Sequence, residues 1–198
     1  MTQLEIEELQ MYENIHISEP KWKSWIVQTT TPLFTPEQCR KIIESGRAQK
    51  PQTAQVGMNK PGGGTDTKKR VTTISWLPFK EMAPMYHDLN IFIQKCNENH
   101  FGFGDIRITE NAQFTEYPEG GFYDWHMDCD THMQHEPPVR KISMTLLLND
   151  PSEFEGGDLE LMAPGKFAEL KQGHAIVFAS FLNHRVNKVR RGVRQSLV

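Results

Sequence analysis

The chain has 198 residues, of which 37% are hydrophobic and 24% charged, with a formal net charge of −3. This length fits one domain that buries its own core, and the slightly acidic balance gives no general attraction to nucleic acids or acidic membranes. Three cysteines, far apart and without a Cys-x-x-Cys pair, argue against a disulfide scaffold and for reduced thiols.

The N-terminal region predicts little regular structure before the first helix. Residues 1–33 form an extension that ends in a short edge strand near residues 25–27. This extension has no basic segment followed by an apolar core, and the chain has no apolar run long enough to span a bilayer. We therefore predict a cytoplasmic protein without a secretion signal or a membrane span.

A capped helix and a glycine-rich loop follow. Thr35 as the cap, Pro36 in the first turn and Gln38 completing a capping box predict a helix that ends at Gly46. Residues 51–69 contain few apolar side chains and are rich in glycine, lysine and threonine, which predicts a mobile loop. A loop of this kind is either a surface connection or a lid over a substrate.

Many short strands and a second helix account for the rest of the chain. The helix is predicted over residues 80–98, where apolar residues recur at helical spacing. Strands are predicted at 74–77 and at about 105–110, 112–117, 122–129, 139–148, 157–162, 173–178, 184–189 and 193–198. This pattern indicates a mainly β domain with bracing helices, arranged as a double-stranded β-helix or jelly roll.

Two histidines and a carboxylate suggest a metal site. On a strand, His126 and Asp128 project from the same face, and His184 in a later strand offers a third ligand. Two histidines and one carboxylate occupy one face of octahedral iron(II) and leave positions open for a cosubstrate and O2. Zinc is the main competing metal, but a closed zinc site needs a fourth ligand. Asp124 and Asp130 share the same predicted face, so the choice of carboxylate stays open.

An arginine near the C-terminus suggests an anionic cosubstrate. Arg194 lies ten residues past His184 in a predicted strand, and Ser196 follows on the same face. An arginine fork binds a carboxylate through two hydrogen bonds, and a nearby hydroxyl can add a third. The pair therefore suits a dicarboxylate.

Five stretches in this order carry a resemblance to a known family. They are residues 70–77, the Tyr-Pro-x-Gly-Gly-x-Tyr-x-x-His-x-Asp motif at 117–128, and residues 140–150, 155–159 and 184–194. In them the chain resembles the iron(II)/2-oxoglutarate-dependent dioxygenases, within the prolyl 4-hydroxylase-like branch. Animal prolyl 4-hydroxylases usually have lysine at the position of Arg194, so the chain is more similar to bacterial and viral members.

The resemblance implies one dioxygenase domain over residues 1–198, with an iron-binding core at about 105–198. It assigns the iron ligands to His126, Asp128 and His184. It also implies that 2-oxoglutarate binds residues Tyr117, Arg194 and Ser196. Three further residues match family positions on the substrate side, namely Arg70, Tyr123 and Arg140.

The implied activity is hydroxylation of a C–H bond with Fe(II), 2-oxoglutarate and O2, releasing succinate and CO2, with ascorbate as reductant. The branch resemblance implies a proline in a protein or peptide as the substrate. Hydroxylation of a free amino acid or small metabolite, and oxidation of a nucleobase, are the alternatives; the acidic balance disfavours the nucleobase. A non-catalytic jelly-roll binding module would be expected to lack one of the three ligands or the arginine.

Overall fold

Short antiparallel strands and two helices make up the described parts of the chain, which in this computed structural model are residues 24–53, 68–129, 139–163 and 169–198. The strands are β1 (Ile26–Gln28), β2 (Gln52–Thr53), β3 (Arg70–Val71), β4 (Thr73–Leu77), β5 (Ala112–Tyr117), β6 (Phe122–His126), β7 (Ile142–Leu147), β8 (Phe154–Gly156), β9 (Leu159–Leu161), β10 (Ala175–Ala179), β11 (His184–Val186), β12 (Val189–Gly192) and β13 (Arg194–Leu197). The helices are α1 (Pro36–Ala48) and α2 (Ala83–Cys96), and α2 continues into a π-helical turn over Asn97–Phe101.

Two antiparallel sheets form the body of the domain. The larger has seven strands in the order β1-β10-β7-β13-β5-β4-β2, and the smaller has four in the order β3-β6-β11-β9. Strands β12 and β8 form a separate ribbon. Apolar side chains of the two sheets pack together, as Leu161 does with Ile176 and Phe178. The predicted double-stranded β-helix is confirmed.

The larger sheet has two different faces because successive strand residues point to opposite sides. One face packs against both helices through a buried cluster that includes Ile42, Leu89, Phe114 and Leu197. The alternate positions of β5 and β13 point toward the smaller sheet and are largely polar. They pair directly across the two strands, Tyr117 with Arg194 and Thr115 with Ser196. The space between the sheets is therefore lined by buried polar groups.

Helix α1 begins as predicted and ends later than predicted. The Thr35 hydroxyl accepts a hydrogen bond from the Gln38 backbone at 3.3 Å, and the Gln38 side chain accepts one from the Thr35 backbone at 2.9 Å. The capping box is therefore confirmed. Gly46 does not end the helix, which runs on to Ala48. A Cβ at Gly46 would lie 2.3 Å from Cγ of Phe114, so this glycine allows the helix to approach the sheet.

Two of the predicted strands differ from the structure. Residues 105–110 form an irregular connection and not a strand, and the Gln94 amide donates to the Ile106 carbonyl within it at 2.8 Å. The predicted strand 184–189 is divided, because Asn187 and Lys188 separate β11 in the smaller sheet from β12 in the ribbon.

Other boundaries also move. Helix α2 begins at Ala83, three residues later than predicted, and the strand predicted over 122–129 stops at His126. The extension over residues 1–23 and most of the predicted mobile loop, residues 54–67, lie outside the described residues. Within the loop prediction, Gln52–Thr53 form β2.

Candidate metal centre and anion pocket

The structure brings His126, Asp128 and His184 together. The two histidines lie directly opposite each other on β6 and β11. Nε2 of His126 is 3.7 Å from Oδ1 of Asp128, and Nε2 of His184 is 3.6 Å from Oδ2. All three ligand atoms lie within 4.8 Å of one another. Since ligand atoms of one ion lie about 2 Å from it, small side-chain adjustments would let all three bind the same metal.

Backbone carbonyls orient both imidazoles. Nδ1 of His126 is 2.8 Å from the carbonyl of Asp124, and Nδ1 of His184 is 3.0 Å from that of Leu182. A carbonyl only accepts hydrogen bonds, so each Nδ1 carries the proton and each Nε2 presents its lone pair. Burial, and then the neighbouring His184, lower the pKa of His126 to about 4. The ring is therefore neutral at neutral pH, as metal binding requires.

A β-bulge sets which side chains of β6 face the metal ligands. His184 pairs with His126, but Val186 pairs with Tyr123, so β6 has one extra residue. As a result Tyr123 and His126 face the same side, and their rings stack with centroids 3.4 Å apart. Asp124 is exposed, and its carboxylate accepts a hydrogen bond from the Trp125 backbone at 2.8 Å.

The prediction that Asp124 shares the face of His126 and Asp128 is wrong because of this bulge. Strict alternation would have placed Asp124 with the ligands, and the extra residue turns it to solvent instead. The other alternative carboxylate, Asp130, lies outside the described residues. Asp128 is therefore the one of the three that the structure places beside both histidines.

The loop that carries Asp128 is fixed by neighbouring backbone. The amides of Asp128 and Cys129 both donate to the carbonyl of Ser180, at 3.0 and 3.2 Å. The Ser180 hydroxyl is in turn hydrogen-bonded to that of Ser143 at 2.9 Å. Arg140 also donates to the Asp128 carbonyl at 3.5 Å. The carboxylate is thus held in place beyond the end of β6.

Arg194 forms the centre of a candidate anion pocket between the sheets. Its side chain is buried, and Nη1 donates to Oγ of Ser196 at 3.0 Å. Its guanidinium lies 5.7 Å from the centroid of the Tyr117 ring. Among the described residues no carboxylate forms an ion pair with it. A buried charge without a counterion is costly, so the pocket suits an anionic ligand.

Tyr117 lies between this pocket and the metal ligands. It is 3% exposed, and burial raises the pKa of Tyr117 although Arg70 and Arg194 act in the opposite direction. Its hydroxyl therefore stays protonated and can donate a hydrogen bond. All three residues predicted to bind a cosubstrate, Tyr117, Arg194 and Ser196, lie on the inner face of the larger sheet.

The three residues predicted on the substrate side have different surroundings. Arg70 is buried, donates to the Gln113 side chain at 2.8 Å and lies 4.4 Å from the centroid of the Tyr123 ring. Arg140 is partly exposed and pairs with Glu110 at 2.6 Å. Their partners Gln113 and Glu110 were not predicted from the sequence. Gln113 shares a strand face with Tyr117, four residues on, which is the signal that could have found it.

Comparisons with known proteins bear on the same region. Residues 112–198 match the model of the family described as the 2OG-Fe(II) oxygenase superfamily. A PKHD-type hydroxylase of Colwellia psychrerythraea is 40% identical over 105 residues, covering 44% of this chain and 47% of that protein. One of Gluconacetobacter diazotrophicus is 36% identical over 86 residues, covering 41% and 38%. The chain thus spans less than half the length of these curated relatives.

Solved structures share the fold over most of the chain. The viral collagen prolyl hydroxylase of Paramecium Bursaria Chlorella virus-1, in complex with 2OG, has a TM-score of 0.67 at 17% identity, over 88% of this chain and 94% of that one. A prolyl-4-hydroxylase of Pseudomonas putida has a TM-score of 0.64 at 21% identity, over 88% and 90%. At identities this low, the structural similarity shows a common fold alone.

Among the described residues, neither helix is long and apolar enough to cross a membrane.

Proposed function

We propose, because residues 112–198 match the model of the 2OG-Fe(II) oxygenase superfamily, that this chain is an Fe(II)- and 2-oxoglutarate-dependent dioxygenase that hydroxylates a C–H bond. One observation carries the proposal: the three candidate metal ligands share one interior with a buried arginine that has no carboxylate partner among the described residues. In the reaction, one oxygen atom of O2 enters the product hydroxyl and the other enters succinate, while 2-oxoglutarate loses CO2.

The donor set fits the proposed metal. Two imidazoles and one carboxylate, from His126, His184 and Asp128, are the ligands that non-haem Fe(II) takes in oxygenases. The iron would supply the oxygen chemistry when bound, and no protein side chain need act as a general base. The role of the protein is to hold the ligand atoms, bind the cosubstrate and exclude water.

The anion pocket fits the proposed cosubstrate. Arg194 and Ser196 would bind the 5-carboxylate of 2-oxoglutarate, and the ligand would supply the ion-pair partner that the buried guanidinium lacks among the described residues. Tyr117, whose hydroxyl stays protonated, would donate a hydrogen bond to the same molecule. Ascorbate is proposed as the reductant that keeps the iron in its ferrous form.

For the substrate, we propose a proline in a protein or peptide. Support comes from the PKHD-type hydroxylases among the relatives and from the prolyl hydroxylases among the solved structures. Another of these, from Trichoplax adhaerens, is in complex with a hypoxia inducible factor oxygen degradation domain peptide fragment, and its TM-score is 0.65 at 15% identity over 100% of this chain and 91% of that one. Tyr123 and Arg140, near the metal ligands, are proposed to face this substrate.

The test is a turnover assay with Fe(II), ascorbate and 2-oxoglutarate. Proline-containing peptides, free amino acids and single-stranded oligonucleotides are tested in separate reactions. Mass spectrometry then measures whether each has gained one oxygen atom. Succinate formed together with a hydroxylated peptide proline supports both the chemistry and the substrate. Oxygen on a free amino acid or a base instead would keep the chemistry and reject the peptide substrate. No succinate in any reaction would reject the function.

A further inference from the structure

Arg70 is a second buried arginine that has no charged partner within residues 24–53, 68–129, 139–163 and 169–198. It is 9% exposed, and its Nε has no hydrogen-bond partner in the part of the chain that the structure describes. Nη2 donates to the neutral amide oxygen of Gln113, and none of the described carboxylates pairs with the guanidinium. Arg140 differs, because Glu110 balances its charge at 2.6 Å. Arg70 thus keeps both a charge and a donor for a ligand.

The position of Arg70 is at the metal end of the interior. Strand β3 pairs with β6, and Arg70 lies directly opposite Tyr123. Its guanidinium is 4.4 Å from the centroid of the Tyr123 ring, and that ring stacks on His126 at 3.4 Å. Arg70 therefore approaches from the smaller sheet, on the side of the metal ligands. Arg194 approaches from the larger sheet, beside Tyr117 on the paired strand.

The charges of this interior are unbalanced in a way that a dicarboxylate corrects. Two buried guanidinium groups, Arg70 and Arg194, lie near the carboxylate of Asp128, and the exposed Asp158 acts on Arg194 without forming an ion pair with it; a bound divalent cation would add further positive charge. A ligand with a carboxylate at each end supplies two negative charges at separate places. One place adjoins the metal ligands and the other adjoins Ser196. A monoanion would leave one of the two buried arginines uncompensated.

We infer, resting on the proposed function, that Arg70 binds the 1-carboxylate of 2-oxoglutarate, the end that adjoins the metal, while Arg194 binds the 5-carboxylate. The free Nε donates to a carboxylate oxygen, and Gln113 holds the guanidinium in position. This assignment differs from the substrate-side role that the sequence predicts for Arg70. The two roles make different predictions for binding in the absence of any substrate.

The experiment compares two ligands that differ at one end. Binding of 2-oxoglutarate and of 2-oxopentanoate, which lacks the 5-carboxylate, is measured by calorimetry on the full chain loaded with Mn(II). Arg194→Gln should weaken 2-oxoglutarate and leave 2-oxopentanoate unchanged. Arg70→Gln should weaken both ligands by the same factor, roughly 10- to 100-fold for a lost charge-assisted hydrogen bond. Unchanged binding of both ligands to Arg70→Gln would overturn the inference.

Controls separate this role from others. Mn(II) affinity without a 2-oxoacid should be the same in wild type and Arg70→Gln; a fall would mean that Arg70 acts on His126 through the Tyr123 stack, and would overturn the inference. Arg191→Gln, at an exposed arginine, should bind both ligands normally. Arg70→Lys, which keeps the charge without the fork, should lose less affinity than Arg70→Gln and serves if that variant does not fold.

Failure of this inference is distinguishable from failure of the proposed function. If the metal-loaded wild type does not bind 2-oxoglutarate at all, the proposed function fails together with the inference. If the wild type binds it and only Arg194→Gln weakens it, the proposed function stands and Arg70 has no part in cosubstrate binding.

Discussion

Replacing Arg194 by methionine removes the buried charge while keeping a long apolar side chain. In wild type the guanidinium is 3% exposed, so its bonds to a carboxylate would be shielded from water. Losing a charge-assisted hydrogen bond costs about 1.5–3 kcal/mol, and the upper part of that range corresponds to roughly a 100-fold weaker Kd for 2-oxoglutarate. The expected loss is therefore large enough to read from thermal unfolding.

The size of the thermal effect follows from ligand linkage. At a 2-oxoglutarate concentration of about 100 times its Kd, the ligand stabilises the wild type by about 2.7 kcal/mol. For a domain of this size, each kcal/mol raises Tm by about 2–4 °C, which gives a shift of roughly 5–11 °C. With a 100-fold weaker Kd, Arg194→Met keeps only about 0.4 kcal/mol, or roughly 1–2 °C.

The assay is differential scanning fluorimetry of both proteins with saturating Mn(II), with and without 2-oxoglutarate. Without the ligand, Arg194→Met should melt close to wild type, because its loss leaves no carboxylate unpaired among the described residues. A 2-oxoglutarate shift in Arg194→Met equal to that of wild type would refute the reasoning. Arg191→Gln, at an exposed arginine, should keep the full shift.

Three further variants and one matched control test the fold and the candidate metal site. Gly46→Ala should destabilise the protein by about 1–3 kcal/mol in urea unfolding, because the added methyl meets Phe114; Gly104→Ala, with nothing within 4 Å, should unfold at the wild-type midpoint. Thr35→Ala should cost about 1 kcal/mol in the same assay by removing the cap of α1, and no loss would contradict the capping box. His184→Ala should weaken Mn(II) binding measured by calorimetry, and wild-type affinity would exclude His184 as a ligand.

The grouping of the candidate metal ligands and the capped helix could be predicted because each depends on local spacing. His126 and Asp128 are two residues apart at the end of a strand, and Thr35 and Gln38 are three apart at a helix start. In such cases the sequence interval determines which atoms can meet. The later motifs then predicted His184 as the third ligand, and the fold places it opposite His126.

The surroundings of the site could not be predicted because they depend on pairing between distant strands. The extra residue in β6 turns Asp124 outward and Tyr123 inward, and strict alternation gives the opposite arrangement. The burial of Arg70 follows from the pairing of the two-residue strand β3 with β6, and two residues carry no detectable periodicity. The role of Gly46 could not be predicted for the same reason, because it depends on a close approach to Phe114 on another element.

The most direct test of the proposed dioxygenase is turnover under ¹⁸O₂ with Fe(II) and 2-oxoglutarate, with mass spectrometry of both products. The proposed function predicts one labelled oxygen atom in succinate and one in the hydroxylated substrate, with both absent in His184→Ala. Unlabelled succinate, or labelled products that persist in His184→Ala, would contradict it.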